Sequence, residues 1–122
     1  MKILALFAAA AALLSPGLAS AANLGGVWKL DVDVADMKIP IGCTFTQTGA
    51  ALAGTCNRSD QAEKPAAVTG TVDGSTVKFA YDVSFGDMPL HIAYTGNATS
   101  DTAMTGTLDV AGGMGTFTAT KQ

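Results

Sequence analysis

The sequence predicts an all-β protein: an up-and-down antiparallel barrel of about eight strands, occupying residues 22–122 behind a cleaved leader. Three observations carry this. Apolar and polar residues alternate with period two from Val27 to Thr120, and no segment after the leader sustains a helical period. Turn-forming residues interrupt that alternation at intervals of about ten residues. Finally, Gly42–Asn57 reads GCTFTQTGAALAGTCN, with a cysteine near each end. Folded about Gly49-Ala50, it sets Cys43 opposite Cys56, Phe45 opposite Gly54 and Gln47 opposite Leu52. Because strand side chains alternate, one register gives both an apolar face and a cysteine bridge, and a one-residue slip loses both.

The chain opens MKILALFAAAAALLSPGLASAA. Lys2 supplies a positive start, Ile3–Leu14 an apolar core, Ser15-Pro16-Gly17 a helix break, and Ala19-Ser20-Ala21 a small-x-small cleavage site, so 1–21 reads as a signal peptide. A membrane span needs about 20 apolar residues, more than this core has. No later apolar run reaches that length, so no transmembrane segment is expected in the mature chain. The whole chain has 7 Lys and Arg against 10 Asp and Glu; losing Lys2 leaves 6 against 10, a formal charge of −4. That balance argues against nucleic acid and anionic membranes as partners. The expected location is secreted or periplasmic, where Cys43 and Cys56 can oxidise. In a domain this small, one bridge closing a loop of that length contributes about 3 kcal/mol.

Trp28, Leu30, Val32 and Val34 alternate with Lys29, Asp31 and Asp33 in the first strand. After the cysteine hairpin, Val68, Gly70 and Val72 lead into Asp73-Gly74, a strong hairpin turn signal. The clearest strand carries Val77, Phe79, Tyr81, Val83 and Phe85 on one face. Leu90, Ile92, Tyr94 and Gly96 follow, then Met104, Gly106, Leu108 and Val110, and last Phe117 and Ala119. Eight such strands close on themselves and remove exposed edges. Short sequential connections favour the barrel over a two-sheet sandwich. Inward glycines at 54, 70, 96 and 106 permit the bend and close approach that a small barrel needs.

Gly26-Val27-Trp28 is a G-x-W at the start of the first strand. With the meander behind it, the chain resembles the calycin superfamily: lipocalins, fatty-acid-binding proteins and avidins. The run Leu52-Ala53-Gly54-Thr55 through Val68-Thr69-Gly70-Thr71-Val72 to Val77-Lys78-Phe79 is similar to avidin strands. The resemblance implies a Trp28 packed across the closed end, under a basic side chain such as Lys121. The single Trp does not match the avidin biotin set. Small periplasmic metalloprotease inhibitors are also G-x-W barrels with an early disulfide, and that resemblance implies an inhibitory trunk before the barrel. Here only Ala22, Asn23 and Leu24 precede Gly25 after cleavage.

Sequential hairpins place connections 33–40, 57–66, 86–89 and 111–113 at one end, expected to be the longer ones. Met37, Ile39, Met88 and Met114 lie in or beside them, and methionine suits variable apolar surfaces. The expected lumen carries no Asp, Glu, Lys, Arg or His, and an eight-stranded interior is either filled by side chains or holds one small ligand. Many aromatics and short strands favour filling. The candidate ligand-binding residues are Met37, Ile39, Phe79, Tyr81, Phe85, Met88, Tyr94 and Met114, with the two tyrosine hydroxyls as polar handles for a small apolar ligand.

No catalytic residue is assigned. His91, the only histidine, falls on an outward position away from any nucleophile. No hydrolase, phosphate-loop or zinc motif occurs. Asp31, Asp33 and Asp36 lack the Gly and distal Glu of a calcium loop, so no metal or cofactor is expected. Asn57-Arg58-Ser59 and Asn97-Ala98-Thr99 are sequons that chance explains in a Thr-rich chain. The expected function is an exported binding protein for a small apolar ligand. The alternative is an interaction module, such as an inhibitor of a periplasmic or secreted hydrolase, acting through loops 33–40 and 57–66.

Overall fold

The computed structural model describes residues 22–60 and 64–122; the expected signal peptide lies outside them. Eight strands follow one another: β1 (Gly26–Val34), β2 (Met37–Thr48), β3 (Ala51–Arg58), β4 (Ala66–Asp73), β5 (Thr76–Phe85), β6 (Met88–Ser100), β7 (Ala103–Val110) and β8 (Gly113–Lys121). Each pairs antiparallel with the next, and β8 returns to β1, so the sheet is a closed barrel. The β2–β3 register is the one that the alternation requires: Cys43 faces Cys56, Phe45 faces Gly54, and Gln47 faces Leu52. The two sulfurs are bonded.

Six of the seven connections are two residues long. This corrects the expectation of long loops at one end, and the expectation that 33–40 is one of them. That segment is two strands joined by Ala35-Asp36, whose φ angles are 51° and 65°. Paired left-handed residues give the turn whose twist matches the flanking strands. Aspartate tolerates that conformation; alanine there costs about 1–2 kcal/mol. The turn was not legible because neither residue is glycine or asparagine. Residues 59–65 form the one long connection.

Proline in an internal strand requires a gap in the ladder. The carbonyl of Pro40 accepts the Ser59 amide at 3.0 Å, past the last β2–β3 pair, Ile41 with Arg58. The missing amide proton therefore faces the point where β3 has ended. The wall opens in two further places at the same end. The β4–β5 ladder stops at Val68 and Tyr81, and the β6–β7 ladder at Ile92 and Val110. Beyond these, Asp82–Phe85 and Met88–His91 pair only with each other.

The lower barrel is filled. Phe79 stacks on Tyr94 with ring centroids 4.5 Å apart, and Phe45 and Phe117 meet Phe79 edge-on at 5.2 and 6.0 Å. Glycines make this possible. A side chain at Gly70 collides with the Lys78 carbonyl and the Phe79 β-carbon, and the Phe117 ring occupies the space beside Gly96.

The closed end is sealed by the residues ahead of β1. Leu24 is fully buried. Its amide donates to the Gln47 side-chain oxygen at 2.7 Å, and its carbonyl accepts the Trp28 indole N–H at 2.9 Å. The Gln47 amide nitrogen donates to the carbonyls of Ala22 and Gly49. Lys121 lies with Nζ 5.7 Å from the Trp28 ring centroid, within cation–π reach, and donates to the Asn23 carbonyl at 3.2 Å. This is the Trp-and-base arrangement that the calycin resemblance implies. Residues 22–24 are thus tied into the barrel floor.

A candidate ligand cavity at the open end

Above the aromatic layer the interior is not filled. A cavity of about 240 Å³ opens at the end carrying the Ala35-Asp36, Gly86-Asp87 and Ala111-Gly112 turns. Its wall is aliphatic: Val32 and Val34 from β1, Ile39 and Ile41 from β2, Val83 from β5, Leu90 and Ile92 from β6, Leu108 and Val110 from β7. The physical cause is size. The waist holds four aromatic rings, whereas this rim is walled mostly by branched aliphatics, where the β4–β5 and β6–β7 ladders have already ended. Sequence favoured a filled interior; the barrel is filled below and hollow above.

Two polar features meet this apolar wall. At the inner end the hydroxyls of Tyr81 and Tyr94 are 2.6 Å apart in a buried hydrogen bond, in which either serves as donor. Burial first, and then the neighbouring Tyr81 phenol, push the Tyr94 phenol far above its ordinary range, so it stays protonated. At the mouth stands Arg58, which corrects the expectation of a charge-free lumen. Arg58 follows Cys56 by two residues and so shares its inward face. In sequence, 57–66 has the charge of a loop, which hides the inward parity of Arg58; β3 in fact runs on to Arg58. The Arg58 guanidinium is forked onto Asp60, Nε to one carboxylate oxygen at 3.0 Å and a terminal nitrogen to the other at 2.9 Å. This pairing holds the Asp60 carboxyl below the usual carboxylate range. The Asn57 side chain donates to the Arg58 carbonyl at 3.0 Å and, with Ser84, completes the polar rim.

Met37, Ile39, Tyr81 and Tyr94 line the cavity. Phe79 lies beneath it, buried against Tyr94. Met88 stands 66% exposed in the β5–β6 tip, outside the lining. Met114 pairs with Asp109 on the outer face and is 67% exposed, because the alternation that turns Phe117 inward turns Met114 outward. The side chain of Phe85 is outside the described set. The valines and leucines of the rim, absent from the candidate set, carry no sequence signal beyond their inward parity.

Other reactive groups stand apart from the cavity. His91 Nδ1 lies 2.7 Å from Asp82 on the outer face, with both side chains exposed. Asp33 pairs with Lys38 at 2.6 Å. Among the described residues, no group of three or more His, Cys, Asp or Glu is placed to hold a metal ion.

No protein-family model and no curated protein sequence matches the chain. Two solved structures do. A redesigned beta barrel, b11L5F_LGL, superimposes with a TM-score of 0.61 at 14% identity, over 81% of this chain and 91% of that one. A second redesigned beta barrel, mFAP1, bound to DFHBI, gives a TM-score of 0.53 at 16% identity, over 81% and 94%. At such identities the likeness is one of fold: the chain is a closed, eight-stranded antiparallel barrel of the same architecture as barrels built by design.

Proposed function

We propose that this protein is an exported binding protein that holds one small apolar molecule in the cavity at the Met37 end. The observation that carries the reading is a hollow of about 240 Å³, walled by nine aliphatic side chains, inside a barrel that is otherwise solidly packed. Ligand sites are concave and mostly apolar, with a few placed polar groups; here those are the tyrosine pair and Arg58. The volume lies below the roughly 300 Å³ at which drug-sized sites begin, so the ligand is small. A barrel of this architecture bound to DFHBI supports the reading that the fold accommodates a small molecule. The aliphatic wall supports binding rather than catalysis. The Cys43–Cys56 bridge supports a non-reducing location and, with the leader-like 1–21 segment, export.

The test is native mass spectrometry of the protein purified without detergent. The reading expects a single bound small apolar molecule. It also expects that Val83→Trp, which fills the cavity from β5, removes that molecule while leaving the barrel folded. Protein that carries no adduct and takes up none from a mixture of small apolar compounds contradicts it.

A further inference from the structure

We infer that the open end of the barrel carries a docking surface for a basic amphipathic segment of a partner protein, built from three consecutive hairpins that each present an aspartate beside an exposed methionine. Around the closed sheet, the hairpins β5–β6, β7–β8 and β1–β2 follow one another at this end. In the first, Asp87 precedes Met88, and in the last, Asp36 precedes Met37. In the middle one, Asp109 pairs across the hairpin with Met114. The three methionines are 66%, 58% and 67% exposed, and their aspartates are exposed as well. Among the described residues, only Val27 joins them as an exposed large apolar side chain, and it lies at the other end. Met104, in the closed half, is fully buried. Apolar side chains left in water together mark a contact surface.

Charge selects the occupant. The crescent of three hairpins carries Asp33, Asp36, Asp82, Asp87 and Asp109 near its tips, against Lys38 and His91. Lys38 is taken by Asp33 at 2.6 Å, and His91 lies 2.7 Å from Asp82. Among the described residues, no cation stands within ion-pair distance of Asp36, Asp87 or Asp109. Arg58 and Lys64 belong to the fourth connection, between β3 and β4, outside the crescent. The surface is therefore acidic and apolar at once, and complementary potentials require a cationic partner.

The same charge excludes the other occupants. A second copy seated on this end sets aspartate against aspartate, and an anionic membrane is repelled. A basic amphipathic segment satisfies both halves of the surface. Its lysines or arginines meet the three aspartates, and its apolar side chains meet the methionines, whose flexible thioethers mould to varied shapes. Three two-residue turns make a small footprint, so the complex is of the weak, transient class. The inference goes beyond the ligand reading and does not depend on it, because Met88 and Met114 stand outside the cavity lining.

Fluorescence anisotropy of a labelled amphipathic leucine–lysine peptide, titrated with the purified protein, tests this beside a serine–lysine and a leucine–glutamate control. Wild type binds the leucine–lysine peptide with micromolar affinity, about tenfold or more tighter than the serine–lysine peptide, and does not bind the leucine–glutamate one. The combined variant Asp36→Asn/Asp87→Asn/Asp109→Asn weakens binding about tenfold, the joint effect of three exposed ion pairs. Asparagine at 109 keeps the acceptor that the Gly112 amide uses at 3.1 Å, so the turn is preserved. Met88→Ser/Met114→Ser also weakens binding about tenfold, with an unchanged circular dichroism spectrum. Equal affinity for the two lysine peptides overturns the inference and reduces it to non-specific charge attraction. Binding that survives the methionine variant overturns it, as does a leucine–lysine peptide that does not bind. Self-association through these hairpins in sedimentation, or capture of the protein by phosphatidylcholine vesicles with no peptide binding, also overturns it and assigns the end to a second copy or to a membrane. Each of these outcomes leaves the ligand reading standing.

Discussion

The phenol oxygens of Tyr81 and Tyr94 stand 2.6 Å apart at the boundary between the packed and hollow halves of the barrel. The contact joins β5 to β6, adjacent in the sheet, and the Phe79 ring lies flat against Tyr94 from the other side. A buried phenol cannot ionise cheaply, so the raised Tyr94 value has a consequence for stability. The folded state holds this proton more tightly than the unfolded chain, whose tyrosines release theirs near pH ~10. The contribution is whole below that pH and is lost as pH rises past it, at about 1.4 kcal/mol per pH unit. Thermal melts from pH 8 to 11.5 are expected to show this loss, with Tyr94→Phe giving a shallower alkaline slope. At pH 7 the same variant costs about 1 kcal/mol for the hydrogen bond.

Glycine at position 70 is required by contact. An added methyl strikes the Lys78 carbonyl oxygen and comes within 2.8 Å of the Phe79 α-carbon, both backbone atoms that cannot swing away. Gly70→Ala is expected to cost about 3 kcal/mol or to prevent folding. Gly42→Ala meets nothing within 4 Å and is expected to change stability by no more than about 0.5 kcal/mol. Denaturant midpoints of the two variants decide between steric necessity and general glycine loss.

The bridge between Cys43 and Cys56 spans 13 residues of sequence. Loop-closure entropy assigns it about 3 kcal/mol. Cys43→Ala/Cys56→Ala is expected to lower the unfolding free energy by that amount and to leave the near-ultraviolet circular dichroism of the aromatic layer intact. The spectrum is the check that the register survives without its staple.

Leu24 plugs the closed end with no exposed surface. Leu24→Ala leaves a hole beside Trp28 and is expected to cost about 3 kcal/mol, with a red-shifted tryptophan emission as water approaches the indole. Because the plug lies across the barrel from the cavity, ligand affinity is expected to stay unchanged.

The fold was legible because two independent constraints agreed. Period-two alternation placed Trp28, Phe79 and Tyr94 inward, and the cysteine pair fixed one register from which the neighbouring strands follow. The site was legible only in part. Tyr81 and Tyr94 were found because a hydroxyl on an inward position is conspicuous, and Met37 and Ile39 because they flank a turn. Arg58 was missed at a strand end that alternation alone does not delimit. Met114 was read into the mouth by proximity to a turn, although its parity sends it outward. The hollow itself was out of reach: whether valines and leucines at a rim fill it depends on where ladders end, and Pro40, Tyr81 and Ile92 mark those ends only once the sheet is closed.

Backbone amide chemical shifts recorded while decanol is titrated into the protein test the cavity most directly. The account predicts saturable shifts at Ile39, Ile41, Val83, Leu90 and Ile92, with Leu24, Val72 and Val77 at the closed end unmoved. Shifts scattered over the threonine-rich outer wall, or none at the rim, contradict it.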